Sequence, residues 1–292
     1  MVMGSKSDDW GRWEIISWLV SILICTYNAA ETIEKTIQSC LNQSYQHIEI
    51  LIHDDQSKDA TLQIISNIQN NKIKIIKSGK KLGPYWWLNF LLDHAQWEFV
   101  AIQDHDDLWH KEKLLKQIEF LHTYPTYIGC GTKTLMWYEW DQKWFEYYLG
   151  KESYYTIHPS LVFRNCDYRY PIDTSYMVDA YFQKKELCKW WNKLIYSIDK
   201  TLTLHLVKAW ASNYSYKWFT CSLATLRSIF YLHPIWYGVC ILWWETLRKI
   251  LYSVLLFFDL WKWIDKCERL PFVILGNKMG EYNEERLKEM GF

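Results

Sequence analysis

Hydrophobic and polar positions in the first half of the chain repeat with two different periods, and the two periods alternate. Four apolar runs rich in Ile, Val and Leu suit strands buried on both faces of a parallel sheet, and they cover the later part of 15–25, 48–52, 73–76 and 99–102. Between them, apolar residues recur at helical spacing, as at Ile33, Ile37 and Leu41. Asn28 and Glu31 have the spacing of a capping box that starts the first helix. Because strands alternating with helices indicate right-handed βαβ units, we predict an α/β fold with a mostly parallel central sheet flanked by helices.

Polar or acidic residues follow three of these predicted strands. They are Thr26 and Tyr27 after the first strand, Asp54 and Asp55 after the second, and Asp104, Asp106 and Asp107 after the fourth. Because the carboxyl ends of parallel strands share one edge of the sheet, we expect these side chains to line one crevice. Carboxylates as crowded as those of 104–107 repel one another unless a cation or hydrogen-bond donors compensate them. The acidic stretch therefore indicates either a Mg²⁺ or Mn²⁺ site that also binds phosphate oxygens, or a loop that only caps the next helix.

Composition excludes several classes of protein. The 292 residues contain 33 basic and 33 acidic side chains, so no overall field attracts nucleic acid and we expect no nucleic-acid partner. The eight cysteines are scattered without zinc-site spacing, which indicates reduced thiols and a cytoplasmic location. No G-x-G-x-x-G follows the first strand and no P-loop sequence occurs, which argues against dinucleotide-binding and P-loop folds.

Three stretches, taken in order, resemble the successive sequence blocks of family 2 glycosyltransferases. They are SILICTYN at 21–28, LIHDDQSKDAT at 51–61 and QDHDDLW at 103–109. Their order, spacing and flanking strands match those of the family over residues 20–122. The resemblance implies the glycosyltransferase A fold, a nucleotide-diphospho-sugar transferase, and a nucleoside diphosphate sugar as donor, for which we expect a UDP-sugar.

The same resemblance implies roles for individual residues. Thr26, Tyr27 and Asp55 would line the base and ribose of the donor, and Asp54 would be a partner of that pocket. Asp104 and Asp106 would form the D-x-D element that holds the ribose and, through Mn²⁺ or Mg²⁺, the diphosphate. One departure concerns the Gly-x-x-x-x-x-Asn block, where the family often has a basic residue before the Asn. Leu88 precedes Asn89 here, so a diphosphate contact is missing or supplied elsewhere.

The second half of the chain contains candidates for the catalytic base. Residues 157–164 resemble the family segment that precedes the base, and Asp179 falls where the second acid of the following acidic pair stands, with Val178 in place of the first. An inverting transfer needs one carboxylate to take the proton from the acceptor hydroxyl, whereas a metal-bound diphosphate leaves without an acid. We predict Asp179 as this base and Asp173 as the alternative. An ordinary first-turn Asp on a helix is the competing interpretation of Asp179.

Four further polar residues receive weaker predictions. His158 is a structural loop residue or a contact to the acceptor or the donor phosphate. Arg164 is predicted as a salt-bridge partner. His205 and Lys208 lie where members of the family often have basic or His side chains that reach the diphosphate.

Aromatic residues dominate the C-terminal part of the chain. The apolar runs in 229–264 are interrupted by charged residues and Pro234, and neither reaches the roughly 20 residues that span a bilayer. Trp and Tyr beside Lys and Arg suit a helix that lies at the membrane interface, and packing on the catalytic domain is the alternative. We divide the chain into a catalytic domain at 1–222, with a nucleotide-sugar half at 20–122 and an acceptor half at 123–222, and a helical, aromatic-rich tail at 223–292.

Together these features predict a metal-dependent, inverting glycosyltransferase that moves one sugar to a hydroxyl of a glycan or lipid-linked acceptor. The Gln-x-x-Arg-Trp element of processive synthases is absent, which favours single transfer. We expect a cytoplasmic protein, peripheral at the inner face of the membrane if the tail lies at the interface. Two alternatives remain: a nucleotide- or glycan-binding scaffold that has lost catalysis, and a sugar-nucleotide nucleotidyltransferase, although 26–31 is not the Gly-rich basic loop expected of the latter.

Overall fold

The structure is a computed structural model that describes residues 19–77, 81–95, 98–138, 143–148, 150–172, 178–189, 193–207, 279–281, 287–288 and 290–292. Several predictions from the sequence lie outside these residues. They concern Asp173, Lys208, the boundary at 222 and the aromatic segment 229–264. Among the described residues, no helix combines the length and the apolar character needed to cross a membrane.

The first half of the chain forms the predicted parallel sheet. Its strands are β1 (Val20–Thr26), β2 (Ile48–Asp54), β3 (Ile73–Ile75) and β4 (Phe99–Asp104), in the spatial order β4-β1-β2-β3. The helices that connect them are α1 (Ile33–Leu41), α2 (Thr61–Asn67) and α3 (Pro84–His94), and α4 (Lys113–Thr123) follows β4. The predicted alternation of strands and helices is therefore confirmed.

Alternate side chains of each central strand enter different cores, because successive residues of a strand point to opposite faces of the sheet. Ile22 and Ile24 of β1 pack with Ile33 and Ile37 of α1 in one core. Leu23, between them, packs on the other face with the leucines of α3. The sheet is thus covered on both sides, as a parallel sheet requires.

The start of α1 differs from the prediction. The helix begins at Ile33, its N-cap residue is Thr32, and no side chain caps it. Asn28 instead adopts a left-handed conformation (φ 49°), and its side chain accepts a hydrogen bond from the backbone N–H of Lys58. The capping box predicted for Asn28 and Glu31 is therefore wrong, because Asn28 joins two loops rather than starting a helix.

The second half extends the sheet with strands of 2 to 13 residues that pair mostly in antiparallel fashion. They are β5 (Leu108–Trp109), β6 (Gly129–Tyr138), β7 (Lys143–Tyr147), β8 (Glu152–Ser153), β9 (Val162–Arg164), β10 (Ile195–Val207) and β11 (Met279–Glu281). The main path through the sheet runs β11-β7-β6-β9-β4-β1-β2-β3, and β10 pairs with β5, β6 and β8. A 3-10 turn at His158–Ser160 precedes β9, and helix α5 (Val178–Tyr181) continues into a π-helical turn at Phe182–Leu187. Because β10 pairs with β5, it lies beside Leu108 and Trp109, which directly follow the acidic stretch.

Candidate functional site

The ends of three parallel strands meet at one edge of the sheet, as predicted. In the register of the sheet, Thr26 lies opposite Asp54, and Cys25 lies opposite both His53 and Asp104. Strand β1 is between its two partners, so the loops that follow β1, β2 and β4 are neighbours. This edge is where an open α/β sheet binds its ligands.

Hydrogen bonds donated by backbone N–H groups join the loop after β1 to the loop after β2. The N–H of Asp55 donates to the carbonyl of Thr26 at 2.8 Å, and the N–H of Asn28 donates to the Ser57 hydroxyl at 2.8 Å. The Asp54 carboxylate accepts from the N–H of Ser57 at 3.0 Å. Asp54 therefore shapes the loop beside the crevice, which fits the partner role predicted for it.

The Asp55 carboxylate holds the start of α3. It accepts hydrogen bonds from the indole N–H of Trp87 at 2.7 Å and from the backbone N–H groups of Leu82 and Gly83, each at 3.2 Å. Gly83 has φ 89°, a conformation that favours glycine and turns its N–H toward the carboxylate. Asp55 is 7% exposed, so these donors are its main surroundings. This structural task was not predicted, and the contact of Asp55 with base or ribose stays a prediction.

Thr26 and Tyr27 differ in exposure. Thr26 is buried, and its hydroxyl has no hydrogen-bond partner within the described part of the chain. The Tyr27 ring is exposed, and the ammonium of Lys81 lies 3.4 Å from its centroid. A hydrogen bond with Lys81 lowers the pKa of the Tyr27 hydroxyl. Lys81 therefore covers one face of the Tyr27 ring, and the contact of Tyr27 with the base stays a prediction.

The acidic stretch after β4 is held from beneath by α1. The hydroxyls of Thr32 and Thr36 each donate to the carbonyl of His105 at 3.0 Å, and Thr36 also reaches the carbonyl of Asp107 at 3.1 Å. The Gln103 side-chain amide donates to the same Asp107 carbonyl at 2.7 Å. These hydrogen bonds fix the backbone of the acidic stretch, so its carboxylates project from an ordered loop.

Asp107 is paired with a histidine of β10. Its carboxylate accepts from Nδ1 of His205 at 2.7 Å and from the backbone N–H of Leu206 at 2.8 Å, and Asp107 is fully buried. Burial alone lowers the pKa of His205, but the charge and hydrogen bond of Asp107, with Asp104 and Asp106 nearby, raise it to about 9. The imidazole is therefore protonated at neutral pH and compensates part of the acidic charge.

Asp104, Asp107 and His205 form a candidate metal site. Each offers one ligand atom, and the three atoms lie within 4.8 Å of one another. Burial, and next the charge of Asp107, raise the pKa of Asp104 to about 8, so the carboxylates are crowded as the sequence predicted. The two carboxylates suit Mn²⁺ or Mg²⁺, whereas the imidazole is a ligand more typical of transition metals. From the sequence, His205 is only a weak candidate for a contact to the diphosphate, and Asp107 has no role of its own.

Asp106 was predicted as a metal ligand beside Asp104, but it is not among the three grouped residues. Its charge nevertheless raises the pKa of both Asp104 and His205, so it lies close to them. Its role as a ligand stays a prediction.

Asp179, the predicted base, lies on α5 and is half-buried. Its Oδ2 accepts a hydrogen bond from the Tyr155 hydroxyl at 3.2 Å. The charge of Asp179 raises the pKa of Asp104 and of Tyr85, which shows that it is within electrostatic range of the acidic stretch. The structure thus places Asp179 within electrostatic range of Asp104, and its role as the base stays a prediction.

Two residues at positions discussed for the family, Arg164 and Leu88, make structural contacts. Arg164 forms an ion pair with Glu98 at 3.3 Å, so its predicted salt-bridge role is confirmed. Leu88 is 4% exposed and packs in the core with Leu91 and Leu92. The position that is often basic in the family therefore carries no charge here.

The acidic residues lie at the edge where an open α/β sheet binds its ligands. The sequence profile of glycosyl transferase family 2 matches residues 21–181, which is more than half of the chain, and the chain therefore belongs to glycosyl transferase family 2. The resemblance found in the sequence is thereby confirmed.

Two curated relatives each match about a third of the chain. The UDP-Glc:alpha-D-GlcNAc-diphosphoundecaprenol beta-1,3-glucosyltransferase WfaP of Escherichia coli is 41% identical over 105 residues, which are 36% of this chain and 42% of that protein. The putative teichuronic acid biosynthesis glycosyltransferase TuaG of Bacillus subtilis is 39% identical over 105 residues, or 35% of this chain and 42% of that protein. The chain thus spans less than half the length of the curated relatives it matches.

A solved structure supports the fold. TarS 1-349 of S. aureus in complex with UDP superimposes with a TM-score of 0.54 at 23% identity, over 64% of this chain and 60% of that chain. This likeness, together with the family match, confirms the predicted glycosyltransferase A fold.

Proposed function

We propose that the chain is a metal-dependent, inverting glycosyltransferase that moves a single sugar from a UDP-sugar to a hydroxyl of a lipid-linked or glycan acceptor. The observation that carries this proposal is the grouping of the Asp104, Asp107 and His205 ligand atoms within 4.8 Å at the carboxyl edge of the sheet. TarS was solved with UDP, and WfaP is named for a UDP-sugar and a diphosphoundecaprenol acceptor, which supports both substrate classes.

The donor nucleotide occupies the edge formed by the loops after β1 and β2. Tyr27 offers an exposed ring for the base, and Thr26 and Asp55 lie next to it in the sheet edge. Asp54 keeps the second loop in shape through Ser57. Because hydrogen bonds within the protein join these loops, their relative position does not depend on the donor, which lowers the entropic cost of binding.

Charge balance supports a requirement for a divalent cation. Asp104, Asp107 and Asp179 bring carboxylates within electrostatic range of one another, and Asp107 is paired with His205. A donor diphosphate adds further negative charge, so the complex needs a positive counter-charge. We assign its binding to Asp104 with Asp107 and His205, whose imidazole would release its proton on binding the cation, and we retain Asp106 as a candidate ligand. Mn²⁺ or Mg²⁺ bound there would neutralise the leaving diphosphate.

Asp179 takes the proton from the acceptor hydroxyl. Inversion needs a single displacement, so one base suffices and no covalent intermediate forms. The hydrogen bond from Tyr155 holds one carboxylate oxygen and leaves the other to receive the proton. If the acceptor is a lipid-linked diphosphate, the enzyme acts at the inner face of the membrane.

The test is release of UDP from a panel of UDP-sugars by the purified chain, with Mn²⁺ or with EDTA. We expect release that requires the cation and that rises when a lipid-linked acceptor is added. Binding of UDP without any release would support the non-catalytic scaffold. Formation of pyrophosphate from UTP and a sugar phosphate would support the nucleotidyltransferase, and either result would refute the proposal.

A further inference from the structure

His158 lies on a rigid turn beneath the acidic stretch. The turn at His158–Ser160 is held on two sides, because the Trp109 indole donates to the carbonyl of Pro159 at 2.9 Å and the Gln117 amide donates to the carbonyl of Ser160 at 2.8 Å. His158 itself is 8% exposed. The position of its ring is therefore determined by the fold rather than by solvent.

One ring nitrogen of His158 is bonded to Tyr170. Nε2 of His158 and the Tyr170 hydroxyl are 2.8 Å apart, and Tyr170 is 2% exposed. The Tyr170 ring stacks on Phe182 with centroids 3.9 Å apart. Burial raises the pKa of the Tyr170 hydroxyl well above its usual range, so this hydroxyl stays neutral and is able to donate a hydrogen bond to Nε2.

Asn89 holds the backbone of Tyr170 from both sides. Its amide donates to the Tyr170 carbonyl at 2.9 Å, and its side-chain oxygen accepts from the Tyr170 N–H at 2.7 Å. Asn89 is the Asn of the Gly-x-x-x-x-x-Asn block. Its position in α3 is thereby connected, through Tyr170, to the orientation of the His158 ring.

The other ring nitrogen faces the acidic stretch. Nδ1 of His158 lies 3.9 Å from Oδ1 of Asp104. When Nε2 accepts a hydrogen bond, the ring proton of a neutral imidazole is on Nδ1. A separation of 3.9 Å is longer than a hydrogen bond, but polar contacts at catalytic sites often tighten when the substrate complex forms.

We propose that His158 is a positioning residue for Asp104. Its Nδ1–H, directed by Tyr170 and Asn89, holds Oδ1 of the carboxylate and so leaves the other oxygen of Asp104 oriented toward the cation and the donor. This inference rests on the proposed function, because it assigns His158 to the same donor site.

Two substitutions separate the two nitrogens of the ring. The amide nitrogen of Asn can occupy the place of Nδ1, whereas that of Gln reaches the place of Nε2. We expect His158→Asn to bind UDP with Mn²⁺ within about threefold of the wild type, and His158→Gln to bind at least about tenfold more weakly, the usual loss when a partner of a metal ligand is removed. Calorimetric titration of Mn²⁺ and UDP into the full chain measures both. Matched controls are His94→Asn and His94→Gln, because His94 is exposed on α3 and bonds only the Phe90 carbonyl through Nδ1.

Equal affinities of the Asn and Gln variants would overturn the proposal while leaving the proposed function intact. Failure of the wild type to bind UDP with Mn²⁺ would instead refute the donor site itself. If the Gln variant does not fold, Tyr170→Phe decides, because it keeps the ring on Phe182 and removes only the hydroxyl. We expect weaker binding of UDP with Mn²⁺ in that variant, and wild-type affinity would overturn the role of His158.

Discussion

The side chain of Lys113 is buried in the core of the sheet, and replacing it with methionine should stabilise the protein at neutral pH. Lys113 is 0% exposed, and its ammonium has no hydrogen-bond partner among the described residues. The ammonium lies 3.8 Å from the centroid of the Trp109 ring. Burial lowers the pKa of Lys113 from 10.5 to about 7, against smaller opposing effects of Cys40 and Cys130.

The size of the effect follows from this pKa. Each tenfold loss of proton affinity corresponds to about 1.4 kcal/mol, so holding Lys113 in the core costs the folded state up to about 5 kcal/mol at pH 7. This cost is already net of the contact with Trp109, and an imperfect fit of the methionine side chain offsets up to about 1.5 kcal/mol of the gain. Methionine keeps the length and the apolar stem of the side chain, so we expect Lys113→Met to raise the free energy of unfolding by about 3 kcal/mol.

The gain should depend on pH in a defined direction. The unfolded chain binds the Lys113 proton more tightly than the folded one, so the stability of the wild type rises between pH 7 and 10.5. The advantage of methionine is therefore greatest at pH 7 and below and shrinks toward pH 10.5. Urea unfolding followed by far-UV circular dichroism, at neutral and alkaline pH, measures it.

Lys116→Met on the same helix is the matched control. The Lys116 side chain is 35% exposed and pairs with Glu112 at 3.5 Å, so its replacement should change stability by no more than about 0.5 kcal/mol. A Lys113→Met variant less stable than the wild type at pH 7, or a gain that does not change with pH, would refute the reasoning.

Three further predictions concern the crevice. Asp179→Asn should leave UDP binding intact while turnover falls by about 100-fold or more, because only proton abstraction is lost. Steady-state kinetics measures this. The control is Asp93→Asn, because Asp93 is an exposed partner of Arg169. Asp106→Asn should abolish the enhancement of UDP binding by Mn²⁺, and unchanged affinity in calorimetry would remove Asp106 from the metal role. Asp55→Ala should lower the free energy of unfolding by about 3 kcal/mol or more, because three donors including the Trp87 indole lose their acceptor; a midpoint of urea unfolding equal to that of the wild type would contradict it.

The parallel half of the fold could be predicted because its signals are local. Each of its strands is a short run of Ile, Val and Leu, and each helix has its own apolar stripe, so the edge that carries Thr26, Asp55 and Asp104 follows from chain order alone. At Asn28 the local sequence pattern led to a wrong prediction, because the residue spacing fits a helix N-cap. The amide there serves a loop about 30 residues further along the chain, and spacing contains no information on such a partner.

The pairing of Asp107 with His205 could not be predicted from spacing for the same reason. The two residues are 98 positions apart, and their contact depends on the register of β10 against β5, in which Thr203 lies opposite Trp109 and Leu204 opposite Leu108. A slip of one residue would turn the His205 side chain to the other face of the sheet. That register is set by packing in the second half of the chain, where short strands and irregular pairing leave little periodic signal.

The uncharged side chain of Leu88 bears on how the negative charge of the donor diphosphate is compensated. Leu88 packs against the leucines of α3 in a core that has no room for a solvated cation, so the change from the family pattern fits its surroundings. The position that often carries a basic residue in the family therefore supplies no positive charge to the donor here. His205 contacts Asp107 at 2.7 Å, so a positive charge on its imidazole is shared with that carboxylate and would be lost on binding a cation. A bound divalent ion therefore has to compensate the negative charge of the diphosphate. We expect this chain to depend on that ion more strictly than a relative with a basic residue before the Asn.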